Sequence, residues 1–344
     1  MKFGVLRAWT ILGSAAGAAV LAACNQSNQV TLPPPGTTPF AANRIYVTNF
    51  TFSSPMPTPT PGAYFFSAPF GSSTVPGGVV TQTAGTTVVG AAVDPNDATG
   101  TLYIVNPNLG VSAFSRPTGS TSTANFTILG GMTSPLTAGF DSSHDLFVAD
   151  GNAAVWELAA PITSGTTPTA LSVTGLVEPV CVALDGSGDL FVLDVHSGPQ
   201  ETLEEFAPSH SGAPTASTTT GLAGAGFQGL EGCAYDSVTR MIYVANANVN
   251  VLPASGAILG YATPLTLGES PTTTIAMPAN TAPFGITFDA AGNLYADEAT
   301  AASGLTAGAI AIYRGPVSSA STASTTIPNL TTNAAVGLSV AVGP

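Results

Sequence analysis

Lysine occurs once in the 344 residues, at position 2. Lys and Arg together number 6 against 19 Asp and Glu, and charged residues make up only 7% of the chain. So few charges exclude a coiled coil or a helical surface laced with ion pairs. Beyond Lys2 and Arg7, the only cations are Arg44, Arg116, Arg240 and Arg314. Such a surface repels phosphate backbones and offers no cluster for anionic lipid, which excludes nucleic-acid binding. Long apolar runs are also missing. The nearest candidate, Ala8 to Ala23, is broken by Thr10, Gly13, Ser14 and Gly17 and falls short of the ~20 residues that cross a bilayer. No CxxC, HExxH, GxSxG or Walker-type loop is present.

What the chain has in quantity is Gly (38), Pro (28) and neutral Ser/Thr runs, with 44% hydrophobic residues. That is too apolar for general disorder and fits an all-β chain of many short strands. Length alone suggests two domains, but all-β units often run this long as one.

The first residues have the make-up of an export signal: Lys2 and Arg7, then the Ala-rich stretch, then Leu21-Ala22-Ala23-Cys24. This segment resembles the signal and lipobox of bacterial lipoproteins. The resemblance implies that residues 1–23 are removed and that Cys24 carries the lipid. It also implies attachment to the membrane by several acyl chains, since one alone anchors weakly. Asn25, at the position of a retention Asp, favours the outer membrane if the cell has one. Residues 24–41, with Pro33, Pro34 and Pro35, read as an extended tether.

From 42 to 344 the chain repeats itself. Ala-Ala-Val-Asp94, Ala-Gly-Phe-Asp141, Val-Ala-Leu-Asp185, Cys-Ala-Tyr-Asp236 and Ile-Thr-Phe-Asp289 each lead into an alternating strand such as Leu146-Phe147-Val148-Ala149-Asp150. A third strand follows, ending near Pro69, Pro117, Pro161, Pro208, Pro264 or Pro316, and then a Ser/Thr-rich outer strand. The stretch Arg44–Asn49 matches a second strand with no first, and Gly337–Ala341 a first strand with no second. The spacing predicts a six-bladed β-propeller closed by pairing about 336–342 with about 44–49, which leaves no open sheet edge. Motifs such as Ile45-Tyr46-Val47-Thr48-Asn49 and Gly292-Asn293-Leu294-Tyr295 resemble the six-bladed propellers of the NHL/YVTN type, in the shape shared with the SMP-30-like superfamily.

The second strands end in Asn49, Asn106, Asp150, Asp194, Asn246 and Glu298, all expected on one face, the crown. The expected role is to accept backbone N–H bonds in the turns. The alternative is a ligand or cation crown of Asp150, Asp194, His196, Glu231 and Glu298, with Ca²⁺ as the ion. Lactonases of the regucalcin type, which share the ring, place metal ligands at a position that here reads Val89, Leu136, Val180, Glu231, Phe284 and Val336. One carboxylate makes no oxygen-rich site, so no metal or other cofactor is expected. Glu231 could group with Asp194 and His196 for acid–base work, but is expected to be solvated or paired with Gln228. His144 and His210 are expected in solvent. Cys181 and Cys233 are expected as buried free thiols, because innermost strands of neighbouring blades should splay apart; a disulfide is the alternative.

Loops 50–62, 195–202, 247–257 and 299–309 are long and should emerge on the crown. The expected function is a monomeric, membrane-tethered binding module, not an enzyme, recognising a protein, peptide or glycan. An envelope hydrolase, lactonase-like enzyme or lyase using Glu231 and His196 is the competing expectation.

Overall fold

The computed structural model describes residues 42–51, 62–82, 88–94, 100–117, 119–121, 123–196, 200–220, 222, 232–247, 256–300, 306–328 and 335–343. The lipobox with Cys24, the tether, Gln228 and Glu231 lie outside them. The described residues contain no helix and form six four-stranded antiparallel sheets, the blades.

Blade one runs from Ala335–Gly343 (innermost) through Arg44–Thr51 and Gly62–Ser67 to Gly78–Thr81. In chain order, blade two has its first and second strands at Gly90–Val93 and Leu102–Asn106, blade three at Pro135–Phe140 and Leu146–Asp150, and blade four at Pro179–Leu184 and Leu190–His196. Blade five follows with Cys233–Asp236 and Met241–Asn246, and blade six with Thr281–Phe288 and Leu294–Thr300. The expected closure is observed: Arg44 pairs Gly343, Val47 pairs Val340 and Asn49 pairs Gly337. The turn aspartates act as the repeats require. Asp141 Oδ1 accepts the N–H groups of Ser143 and Asp145, and Asp185 and Asp289 do the same in their own turns.

Packing between blades follows one rule. On each second strand, the aromatic and the residue two further on face the next blade. There they meet the residues just before and just after that blade's own aromatic. Phe191 and Leu193 thus pack with Ile242 and Val244, and Tyr103 and Val105 with Leu146 and Val148. Tyr295 meets Ile45 and Val47, so the last blade is packed onto the first as well as hydrogen-bonded to it. Burying each such side chain stabilises by roughly 1.5–3 kcal/mol.

Innermost strands come much closer than the sequence reading allowed. Glycine permits this at two contacts: a Cβ on Gly90 would lie 2.4 Å from the Leu136 carbonyl oxygen, and one on Gly285 would lie 2.6 Å from Ser339 Cα. Cys181 and Cys233 are accordingly not free thiols. Their Cα atoms stand 5.8 Å apart and they form a disulfide between blades four and five. The outer strands spread with the sheet twist, but the inner ones line a narrow ring, and only the outer ones splay.

The long crown connections also differ in part. In blade four Val195 pairs Glu201 and His196 pairs Gln200, and in blade six Ala299 pairs Gly308 and Thr300 pairs Thr306. The expected loops 195–202 and 299–309 are therefore largely hairpin extensions, since a polar alternating run can pair as well as an apolar one. Of the other two, most of 50–62 and of 247–257 lies outside the described residues.

Candidate functional site

The second-strand ends are buried: Asn106 and Asp194 are fully so, and Asp150, Asn246 and Glu298 nearly so. The side chain of Asn49 lies outside the described residues. Asp150 accepts from the N–H groups of Thr133 (2.7 Å), Ser134 (2.8 Å) and Asn152 (3.2 Å) and from the indole of Trp156 (3.2 Å). Asp194 accepts from Val177 N (2.9 Å) and Glu178 N (2.7 Å). These carboxylates hold the segment that enters the innermost strand, a chain crossing that no local turn rule anticipates. Asn106 does take the leaving turn, accepting from Asn108 N (2.8 Å) and Leu109 N (3.2 Å). Glu298 accepts the Tyr313 hydroxyl at 2.7 Å, and burial pushes its carboxyl up.

Asp194 and His196 come together as the sequence suggested, but their third member here is Glu204. His196 Nε2 lies 3.2 Å from Asp194 Oδ2 and 3.7 Å from Glu204 Oε1. Glu204 sits on the third strand opposite Val192, four pairs before Gln200 meets His196. All three side chains leave the sheet on the side of Leu190, Val192 and Phe206, which pack against blade three. Burial pushes the Glu204 carboxyl up to about 7, Asp194 adds to the rise and His196 opposes it. Burial also raises Asp194, against the pull of its backbone N–H bonds and of His196. Glu231, the expected partner, lies outside the described residues.

Sequence reasoning missed Glu204, although a signal was present. The residue opposite the one that follows the second strand's aromatic reads Tyr64, Ser112, Trp156, Glu204, Leu259 and Ala311 around the ring, with one charge among six.

A second buried acid, Asp297, lies next to Glu298 in sequence but faces blade one. It is fully buried, and neither carboxyl oxygen has a hydrogen-bond partner among the described residues. Burial raises its carboxyl well above the ordinary range, and Glu298 adds to the shift. Thr48, Val105, Ala149, Leu193 and Ala245 hold this position in the other blades.

The central channel opens opposite the crown, as a cavity of about 520 Å³. Ala91, Cys181, Gly232, Gly285 and Ser339 line its depth, and the turn residues Asp141, Asp185 and Asp289 line its mouth. Val89, Leu136, Val180 and Phe284, the members of the apolar ring whose side chains are described, do not line it. His144 and His210 are half-buried rather than free in solvent. His144 Nδ1 lies 2.5 Å from Asp94 Oδ2 across blades two and three. His210 Nε2 lies 2.8 Å from the Gly188 carbonyl, and its ring stands edge-on to Phe147. In each case a partner from the neighbouring turn or blade reaches the ring, which spacing along the chain cannot show.

No protein-family model matches the chain, and no curated protein matches it in sequence. Solved structures do resemble it. A protein of unknown function from Bacteroides caccae superimposes with a TM-score of 0.55 at 10% identity, covering 88% of this chain and 98% of its own. A protein from Lactobacillus plantarum gives a TM-score of 0.50 at 15% identity, covering 87% and 98%. At such identities the likeness extends to the fold alone, and the chain is a six-bladed β-propeller.

Proposed function

We propose that this propeller is an exported recognition module, held to a membrane through a lipid on Cys24, that binds a protein, peptide or glycan with its crown. The observation that carries the reading is the pair of hairpins in blades four and six, which reach past the sheet body on one face of a closed, disulfide-linked ring. Projecting segments on a rigid scaffold are where recognition concentrates. The Cys181–Cys233 bond supports an oxidising compartment, as does the export-type leader. We place the protein in the cell envelope, on the outer membrane where there is one, as a monomer.

Two measurements test this. Cys24→Ser should release the protein from the membrane fraction; unchanged retention removes the anchor. On peptide and glycan arrays the full chain should give a defined binding profile that is lost when residues 301–305 are replaced by Gly-Ser. A profile indifferent to that replacement removes the crown.

A further inference from the structure

We propose that Asp194, His196 and Glu204 form a binding site for one first-row divalent transition-metal ion, with Zn²⁺ as its natural probe. The inference does not depend on what the crown recognises.

Comparison of the blades shows a local departure from the repeat. In blade three the carboxylate of Asp150 meets the indole N–H of Trp156 on the third strand, a neutral donor for a buried acceptor. In blade four the Trp156 position holds Glu204, opposite Val192 as Trp156 is opposite Val148. A donor is thus replaced by a second carboxylate, and the second strand runs on to supply His196. No other blade has a charged residue at that third-strand position.

The pocket leaves Glu204 under-satisfied. The residue is 5% exposed, and its Oε2 has no hydrogen-bond partner among the described residues. A buried carboxyl oxygen is paired, keeps a proton or coordinates a cation, and the ligand atoms of Asp194 and His196 beside Glu204, which Asp297 lacks, fit the last of these. Lysine cannot supply the countercharge, since the chain's single one is Lys2.

Geometry and donor chemistry select the ion. One ligand atom from each residue lies within 4.8 Å of the others, with His196 Nε2 at 3.2 and 3.7 Å from the two carboxylates. Bonds of 2.0–2.2 Å in a tetrahedral site put ligand atoms about 3.3–3.6 Å apart, so small side-chain adjustments suffice. One imidazole nitrogen and two carboxylates suit Zn²⁺ and its neighbours, whereas Ca²⁺ seeks six to eight oxygens. The backbone bonds from Val177 and Glu178 fix the Asp194 carboxylate, as outer partners do for metal ligands. Three protein ligands leave a position for water or for a donor from a bound partner. His196, with its side chain 33% exposed, marks the way in.

The test is calorimetric titration of tag-free, chelator-stripped full-length protein with Zn²⁺, with Ca²⁺ and Mg²⁺ in parallel. The expected result is one Zn²⁺ per chain, no comparable Ca²⁺ or Mg²⁺ uptake, and binding weakened at least about ten-fold by His196→Gln and by Glu204→Gln. Zn²⁺ should raise the melting temperature of the wild type but not of either variant. Absence of saturable Zn²⁺ binding overturns the site, as does binding that both variants retain. Should the variants fail to fold, Co²⁺ decides with the wild type alone. One equivalent should give saturable visible bands that Zn²⁺ abolishes, and a spectrum indistinguishable from free Co²⁺ overturns the proposal.

Discussion

Cys181 and Cys233 are joined across the gap between two blades, one on each innermost strand, 52 residues apart in the chain. Cross-linking a loop of that length restricts the unfolded chain, which by loop-closure entropy is worth about 4 kcal/mol. The double variant Cys181→Ala/Cys233→Ala should therefore unfold at lower urea, by an equivalent of roughly 2–5 kcal/mol. Paired urea curves of wild type and variant check this; equal midpoints would show that the bond is dispensable.

Gly285 tests ring closure from the inside. A Cβ there would meet the Ser339 backbone at 2.6 Å, where blade six touches the C-terminal strand of blade one. Gly285→Ala should destabilise by about 1–3 kcal/mol through overpacking. Gly186 serves as control: a methyl added there would meet nothing within 4 Å, and Gly186→Ala should leave thermal denaturation nearly unchanged.

Asp236, Asp297 and Glu298 all have carboxyls that burial raises. Their unfolded counterparts ionise near pH 4, while the folded groups keep their protons to higher pH. Between those points the native state binds more protons, so stability is full below about pH 4 and falls as pH climbs through the window. Asp297→Asn should flatten that decline and leave the acid end unchanged. Denaturation midpoints at a series of pH values read it directly. Parallel curves for wild type and variant would mean that Asp297 stays ionised.

Tyr295 contributes to both the blade-six core and its turn. It is fully buried against Phe70 of blade one, and its hydroxyl donates to Asp289 at 2.9 Å. Tyr295→Phe should cost about 1 kcal/mol for the lost hydrogen bond, and Tyr295→Ala about 3–5 kcal/mol for the cavity. If the alanine variant costs no more than the phenylalanine one, the packing of blade six on blade one is not what holds the ring.

The blades were legible because their signal is local. A turn aspartate and an alternating strand lie within about ten residues of each other, as in Asp141 and Leu146–Asp150, and the same pattern returns along the chain. Features that depend on register across strands were not legible. The approach of Cys181 to Cys233 depends on how tightly small residues let the inner strands close. Glu204 joins His196 only because a polar hairpin pairs beyond the sheet, where composition alone reads as loop. The reach of Asp150 to Thr133 and Ser134 likewise links the end of one strand to the entry of another.

The second strand of blade one starts at Arg44, on the side where the turn aspartates surround the cavity mouth, and Ala42 itself lines that mouth. The extended hairpins leave from the other side. A molecule seated in the cavity mouth and one held by the hairpins would thus occupy opposite faces of the ring, and neither would exclude the other.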